Sequence, residues 1–140
     1  MLKRKLGNTN TIISAVGIGA MSFTDFYGKT DEQSSHNILS SALDFEINHI
    51  DTSNVYGMGQ SETVIGNFLL KQGKQKNSLF KIATKASISK NSVTGEREFD
   101  NSESHLRLEL TNSLKRLGLE CIDLFYIHRR DQSIEIEEVV

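Results

Sequence analysis

The sequence predicts an α/β fold built on a parallel sheet, and three observations predict it. Short apolar runs alternate with amphipathic helical stretches along the chain, an order that implies crossover connections. The strands begin near residues 15, 47, 80 and 121, so each strand–helix unit takes about 32 to 41 residues. Three of the four strands end on an ionisable residue, Asp51, Lys85 and His128, at the strand ends where parallel α/β folds keep their chemistry.

Leu2 to Ile13 reads as a hairpin around the turn-rich Gly7-Asn8-Thr9-Asn10. Ala15 to Ala20 reads as a buried strand with two glycines, a pattern that lets something approach the backbone closely. A helix follows, with Thr30 as its expected cap, Gln33 in the capping-box position, and Ile38, Leu39, Ala42 and Leu43 as one apolar stripe. Ile47 to Asp51 is the next strand. Beyond the turn Tyr56 to Gln60, Ser61 is the expected cap of a helix whose apolar face is Val64, Ile65, Phe68 and Leu69.

Lys71 to Asn77 reads as a polar connection and Phe80 to Lys85 as the third strand. Ala86 to Asn101 has no clear periodicity and is long for a connection, which points to a functional or disordered loop. A helix runs from about Ser102 to Leu117, aligns Leu106, Leu110, Leu114 and Leu117, and stops at Gly118. Ile122 to His128 is the fourth strand, and Ile134 to Val140 begins another helix.

A chain of 140 residues is the size of one ordinary domain. Eight strand–helix units need about 250 residues or more, the usual size of a (β/α)8 barrel, and this sequence has about half that length. A formal net charge of −2 excludes a basic nucleic-acid footprint, and 37% hydrophobic with 24% charged residues excludes disorder. The lone Cys121 allows no internal disulfide, suits a reducing compartment and hence a cytoplasmic location, and reads as inert. Membrane insertion is not expected, because no stretch approaches the ~20 apolar residues of a span and no signal-peptide core opens the chain. No metal-ligand spacing is present. The complete lack of proline, against an average usage of about 5%, has no explanation in the sequence.

Each ionisable strand end has an ordinary reading. Asp51 could cap a turn, Lys85 could be a solvated strand end, His128 a satisfied structural histidine, and Tyr56 could close its glycine turn. Those readings weaken because all four sit at matching structural positions, with adjacent strands only ~4.8 Å apart. His49 shares the orientation of Asp51 and reads as an interior polar residue, while Tyr126 points with His128 and is expected to pack. Arg129, Arg130 and Asp131 read as a solvated charge run.

Several motifs then carry a resemblance. Ile50-Asp51-Thr52-Ser53-Asn54-Val55-Tyr56-Gly57 resembles the aldo-keto reductase signature around its catalytic aspartate and tyrosine. Gly57-Met58-Gly59-Gln60-Ser61-Glu62 is similar to the continuation seen in the bacterial and potassium-channel-β-like branches. Ile82-Ala83-Thr84-Lys85 resembles the lysine strand, and Ser113 to Gly118 followed by Ile122 to Asp131 resembles the histidine-bearing stretch. Arg4 to Asn8 and Gly17 to Ser22 are similar to the barrel-sealing hairpin and first strand, so the resemblance spans essentially the whole chain.

The resemblance implies a (β/α)8 (TIM) barrel, of which this chain is the hairpin and about four units, a partial barrel. It implies an NADPH-dependent reductase of small aldehydes and ketones with Asp51, Tyr56, Lys85 and His128 as catalytic tetrad. Reducing a carbonyl needs hydride at carbon and a proton at oxygen. Tyr56 would give the proton, Lys85 would favour its release, Asp51 would keep Lys85 charged, and His128 would orient the carbonyl. Gly19, Ala20, Met21 and Asp51 would border the nicotinamide; equally, the glycines could only relieve crowding.

The resemblance also implies a later half that carries the phosphate and adenosine contacts. Residues 1–140 are therefore expected to be the N-terminal part of such a domain, cut within its fourth helix at Val139-Val140, with the tetrad kept and most NADPH affinity lost. Open sheet edges would then invite self-association. A regulatory protein of the channel-β type and an inactive gene fragment remain alternatives.

Overall fold

The computed structural model describes residues 1–91 and 93–139. Ser92, within the expected loop, and Val140, within the expected last helix, lie outside the described residues. In chain order β1 (Lys3–Lys5) and β2 (Ile12–Ser14) form the expected antiparallel hairpin, with Lys3 opposite Ser14. β3 is short, Ile18–Gly19, because the chain turns into two 3-10 helices, Ala20–Phe23 and Asp25–Tyr27. Then come α1 (Glu32–Asp44), β4 (His49–Asp51), α2 (Gln60–Lys71), α3 (Lys76–Leu79) and β5 (Lys81–Ala86). A second hairpin, β6 (Ile88–Lys90) with β7 (Arg97–Phe99), precedes α4 (Glu103–Leu117), β8 (Leu124–Ile127) and α5 (Ile136–Val139).

The central sheet has the order β3-β4-β5-β8 and every pairing in it is parallel. Ile18 stands level with Ile50, and Ile50 with Ile82. Ile50 and Ile82 turn toward the helices and join Leu39 and Ala42 of α1, Val64, Ile65, Phe68 and Leu69 of α2, and Leu117 of α4 in one apolar cluster. Burying each large aliphatic or aromatic side chain in that cluster contributes about 1.5–3 kcal/mol. Gly66 lets α2 and α4 touch, since a Cβ there would fall on the backbone carbonyl of Arg116. Strand alternation therefore sends His49, Asp51 and Lys85 to the face opposite the core.

Several local expectations need correction. The cap of α1 is Asp31, whose Oδ1 accepts from the Ser34 N–H at 2.7 Å, whereas the N–H of Thr30 is itself bound by Asp25 Oδ1. Ser61 does not cap α2, which starts after Gly59 in the left-handed region; Ser61 points inward and bridges Thr52 Oγ1 and the Ala20 carbonyl, each at 2.8 Å. The stretch 71–77 is partly helical, with a 3-10 turn at Gly73–Gln75 and the start of α3. The expected loop 86–101 contains the β6–β7 hairpin, whose short strands, one half-buried and one exposed, bury no full face that periodicity could register. Tyr126 is 42% exposed rather than packed, because β8 is an edge of the sheet.

α4 follows its sequence closely. Ser102 Oγ accepts from the His105 N–H, and Gly118 ends the helix at φ 66°.

Candidate active site

Asp51, Lys85 and His128 stand at the carboxyl ends of β4, β5 and β8, but not on one level. Asp51 is opposite Ala83, and Lys85, two residues further along, is opposite Tyr126. His128 lies two residues beyond Tyr126. The positions thus climb from strand to strand, and the four-carbon stem of Lys85 spans the offset. Its Nζ donates to Asp51 Oδ2 at 2.7 Å, to the Thr52 carbonyl at 2.7 Å and to the Tyr56 hydroxyl at 3.3 Å. All three ammonium hydrogens are used. The Lys85 side chain is 14% exposed and Asp51 40%, so the pair is open on the carboxylate side only.

Tyr56 comes from the turn after β4, where its N–H donates to the Ser53 carbonyl at 3.2 Å. The Lys85 Nζ lies 4.9 Å from the Tyr56 ring centre. The Tyr56 and His128 rings meet edge to face, with centres 5.8 Å apart and planes at 80°. Tyrosine hydroxyl, ammonium and imidazole thus lie side by side at the carboxyl end of the sheet.

His128 is held from behind. Its N–H donates to the Ala86 carbonyl at 2.7 Å, and its Nδ1 lies 3.0 Å from Ser53 Oγ. The next residue, Arg129, is clamped by Ser87, whose Oγ donates to the Arg129 carbonyl at 2.7 Å and accepts from its N–H at 2.8 Å. Asn101 Nδ2 donates to the same carbonyl at 3.0 Å, and Asn101 Oδ1 accepts from the Asp131 N–H at 2.6 Å. Ser87 adopts φ 125°, an unfavourable conformation for a residue with a Cβ, and its two bonds at the root of the β6–β7 hairpin hold it there. Burial, then the positive charge of Lys85, hold the His128 imidazole below the usual histidine range. The ring is therefore neutral at neutral pH.

The first strand separates its two glycines. A Cβ at Gly17 would meet the His49 ring at 2.9 Å, so Gly17 serves packing, and His49 itself is tied through Nδ1 to the Lys81 carbonyl at 3.1 Å. A Cβ at Gly19 would meet nothing within 4 Å, and Gly19 lies level with Asp51. Ala20 does not border that open space as expected: the residue is fully buried in the core and its carbonyl accepts from Ser61 Oγ at 2.8 Å. Met21 follows in the 3-10 helix, with its sulfur 3.9 Å from the Tyr27 hydroxyl.

The four residues that the sequence singled out for catalysis thus meet in one place. Sequence reasoning missed Ser53, Ser87 and Asn101. Ser53 lies inside the Ile50–Gly57 stretch, but nothing in the sequence shows that it is buried against a histidine 75 residues away. Cys121 is exposed and precedes β8. Arg130 reaches the Ile134 carbonyl at 3.0 Å and approaches Glu135 at 3.8 Å, a local surface contact.

The chain is 36% identical over 137 residues to the aldo-keto reductase yakc [NADP(+)] of Schizosaccharomyces pombe, a match covering 98% of this chain and 39% of that protein. Among solved structures, the holo form of the aldo-keto reductase AKR11C1 from Bacillus halodurans superposes with a TM-score of 0.82 at 29% identity, covering 99% of this chain and 44% of that one. The glycerol dehydrogenase AKR11B4 from Gluconobacter oxydans gives a TM-score of 0.79 at 28% identity, covering 98% and 42%. The chain spans about two-fifths of the length of these relatives, and its parallel α/β sheet is the corresponding part of a (β/α)8 barrel. Residues 15–140 match the model of the Aldo/keto reductase family, and the chain belongs to that family.

Proposed function

We propose that this chain carries the acid–base centre of an NADPH-dependent reductase that converts small aldehydes or ketones to alcohols. On this reading residues 1–140 are the N-terminal part of an aldo-keto reductase barrel domain. The observation that carries the proposal is the position of Lys85 Nζ, bound to Asp51 and within 3.3 Å of the Tyr56 hydroxyl, with the His128 ring beside that tyrosine.

Tyr56 donates its proton to the carbonyl oxygen as charge builds there. Lys85 stabilises the tyrosinate that remains, and Asp51 offsets the cost of holding that ammonium in a mostly buried place. His128, neutral and clamped through Arg129, presents a ring N–H to the same oxygen and fixes the direction of the carbonyl. The open floor at Gly19, level with Asp51, fits a flat nicotinamide ring; Gly19, Met21 and Asp51 are the residues that would hold it. When bound, the reduced nicotinamide supplies the hydride for the carbonyl carbon. NADPH is favoured as the donor by the NADP(+) in the name of the yeast relative. Among the described residues no helix is long and apolar enough to cross a membrane.

The test is NADPH consumption by the purified protein against a panel of small aldehydes and ketones, with NADH run in parallel. With NADPH supplied at high concentration, to offset the weakened affinity expected of a chain that spans about two-fifths of its relatives, slow carbonyl-dependent consumption of NADPH, faster than that of NADH, is the expected result. Failure to turn over any carbonyl with either nucleotide would overturn the proposal.

A further inference from the structure

One hydroxyl in the network around His128 has no part in the scheme above. Ser53 is fully buried, and its Oγ lies 3.0 Å from His128 Nδ1. Two other acceptors approach the same oxygen, Asn54 Oδ1 at 3.3 Å and the Lys85 carbonyl at 3.4 Å. Both lie beyond the usual O–H···O span of about 2.5–3.0 Å. A serine hydroxyl has one proton to give, and Nδ1 is its best-placed acceptor. The Val55 N–H approaches the oxygen as a donor at 3.5 Å, so it does not compete for that proton.

We propose that Ser53 is a positioning residue: its hydroxyl donates to His128 Nδ1 and so places the single ring proton on Nε2, the nitrogen left free to meet a substrate oxygen. The inference rests on the reductase reading above and adds the group that sets the histidine tautomer. A neutral imidazole keeps one proton, and the hydrogen bond made by one nitrogen decides which nitrogen carries it. The surroundings keep the ring neutral. Lys85 from β5, Arg129 beside the ring and Arg97 from β7 oppose its protonation, against the single carboxylate of Asp51 from β4. The Tyr56 ring, the proton donor in that reading, packs against the imidazole at 80°. Ser53 and Tyr56 belong to one turn, closed by the bond from the Tyr56 N–H to the Ser53 carbonyl at 3.2 Å. The proton donor and the group that aims its partner histidine are thereby set by the same few residues.

The test is nitrogen NMR of the ring in histidine-labelled protein, for the unmodified chain and for Ser53→Ala and Ser53→Cys. In the unmodified chain the His128 proton is expected on Nε2, with Nδ1 showing the shift of a hydrogen-bonded acceptor. Ser53→Ala should move Nδ1 to the shift of an unbonded nitrogen, let the second tautomer appear, and lower kcat/KM for carbonyl reduction roughly tenfold, the scale of one hydrogen bond. Ser53→Cys, whose thiol is a weak donor, should fall between the two, and it carries the comparison if the alanine variant does not fold. A proton found on Nδ1 in the unmodified chain, or ring shifts unchanged in both variants, would overturn the assignment. The expected ring signals in a protein that reduces no carbonyl would support the role of Ser53 and count against the reductase reading instead.

Discussion

Two carboxylate–cation pairs flank the same strand. On one face of β5, Thr84 donates to Glu62 Oε1 while Arg116 Nε donates to Glu62 Oε2 at 2.6 Å. On the other face, Lys85 donates to Asp51 at 2.7 Å. The chemistry is nearly the same and the settings are not. Glu62 is 0% exposed and both of its oxygens are taken, so the pair locks α2 and α4 against the sheet and offers nothing to a ligand. The Asp51–Lys85 pair is open along its carboxylate, and its third ammonium hydrogen goes to a tyrosine hydroxyl. A charge pair becomes a site here through one open side and one partner able to give up a proton.

Breaking the buried pair should cost the most stability. Glu62→Gln removes the charge that offsets Arg116 and should lower the unfolding free energy by about 3 kcal/mol, read from a urea transition. An unchanged midpoint would show that the two pairs do not differ as described.

The rim pair should be felt in titration more than in folding. His128 is neutral in the folded chain to a pH below the ordinary histidine value of 6.5. The unfolded ring takes up a proton near 6.5, so below that pH the unfolded chain binds more protons and stability falls as pH drops. Above 6.5 the ring contributes no such dependence. Lys85→Met removes one of the charges that oppose protonation and should raise the His128 midpoint, followed by proton NMR; a midpoint that stays or falls would break the electrostatic account. Smaller still is Ser102→Ala, which deletes the cap of α4 and should cost about 1 kcal/mol in thermal unfolding.

The same contrast explains what could be seen in the sequence. α4 is legible in its extent, because its leucine spacing and its terminal glycine agree, while its serine cap emerges only in the structure. The rim residues were legible because a strand that ends on a charge breaks its own pattern. The cap of α1 was misplaced by one residue, since Thr30 and Asp31 are both competent caps and only backbone direction decides between them. The β6–β7 hairpin was invisible because neither strand has a buried face to repeat. Ser61 was read as a cap, yet it ties Thr52 to Ala20 beneath the rim; Ser53 passed unnoticed for a related reason, that small polar residues carry no periodicity and their partners lie far along the chain.

The most direct test of the central claim separates reaction from folding at Tyr56. Tyr56→Phe keeps the ring and removes only the proton donor. NADPH-dependent carbonyl reduction should fall by about 10²–10⁴-fold, while the urea midpoint stays at that of the unmodified chain. Reduction that survives in the phenylalanine variant would contradict the account, because the proton would then come from another group.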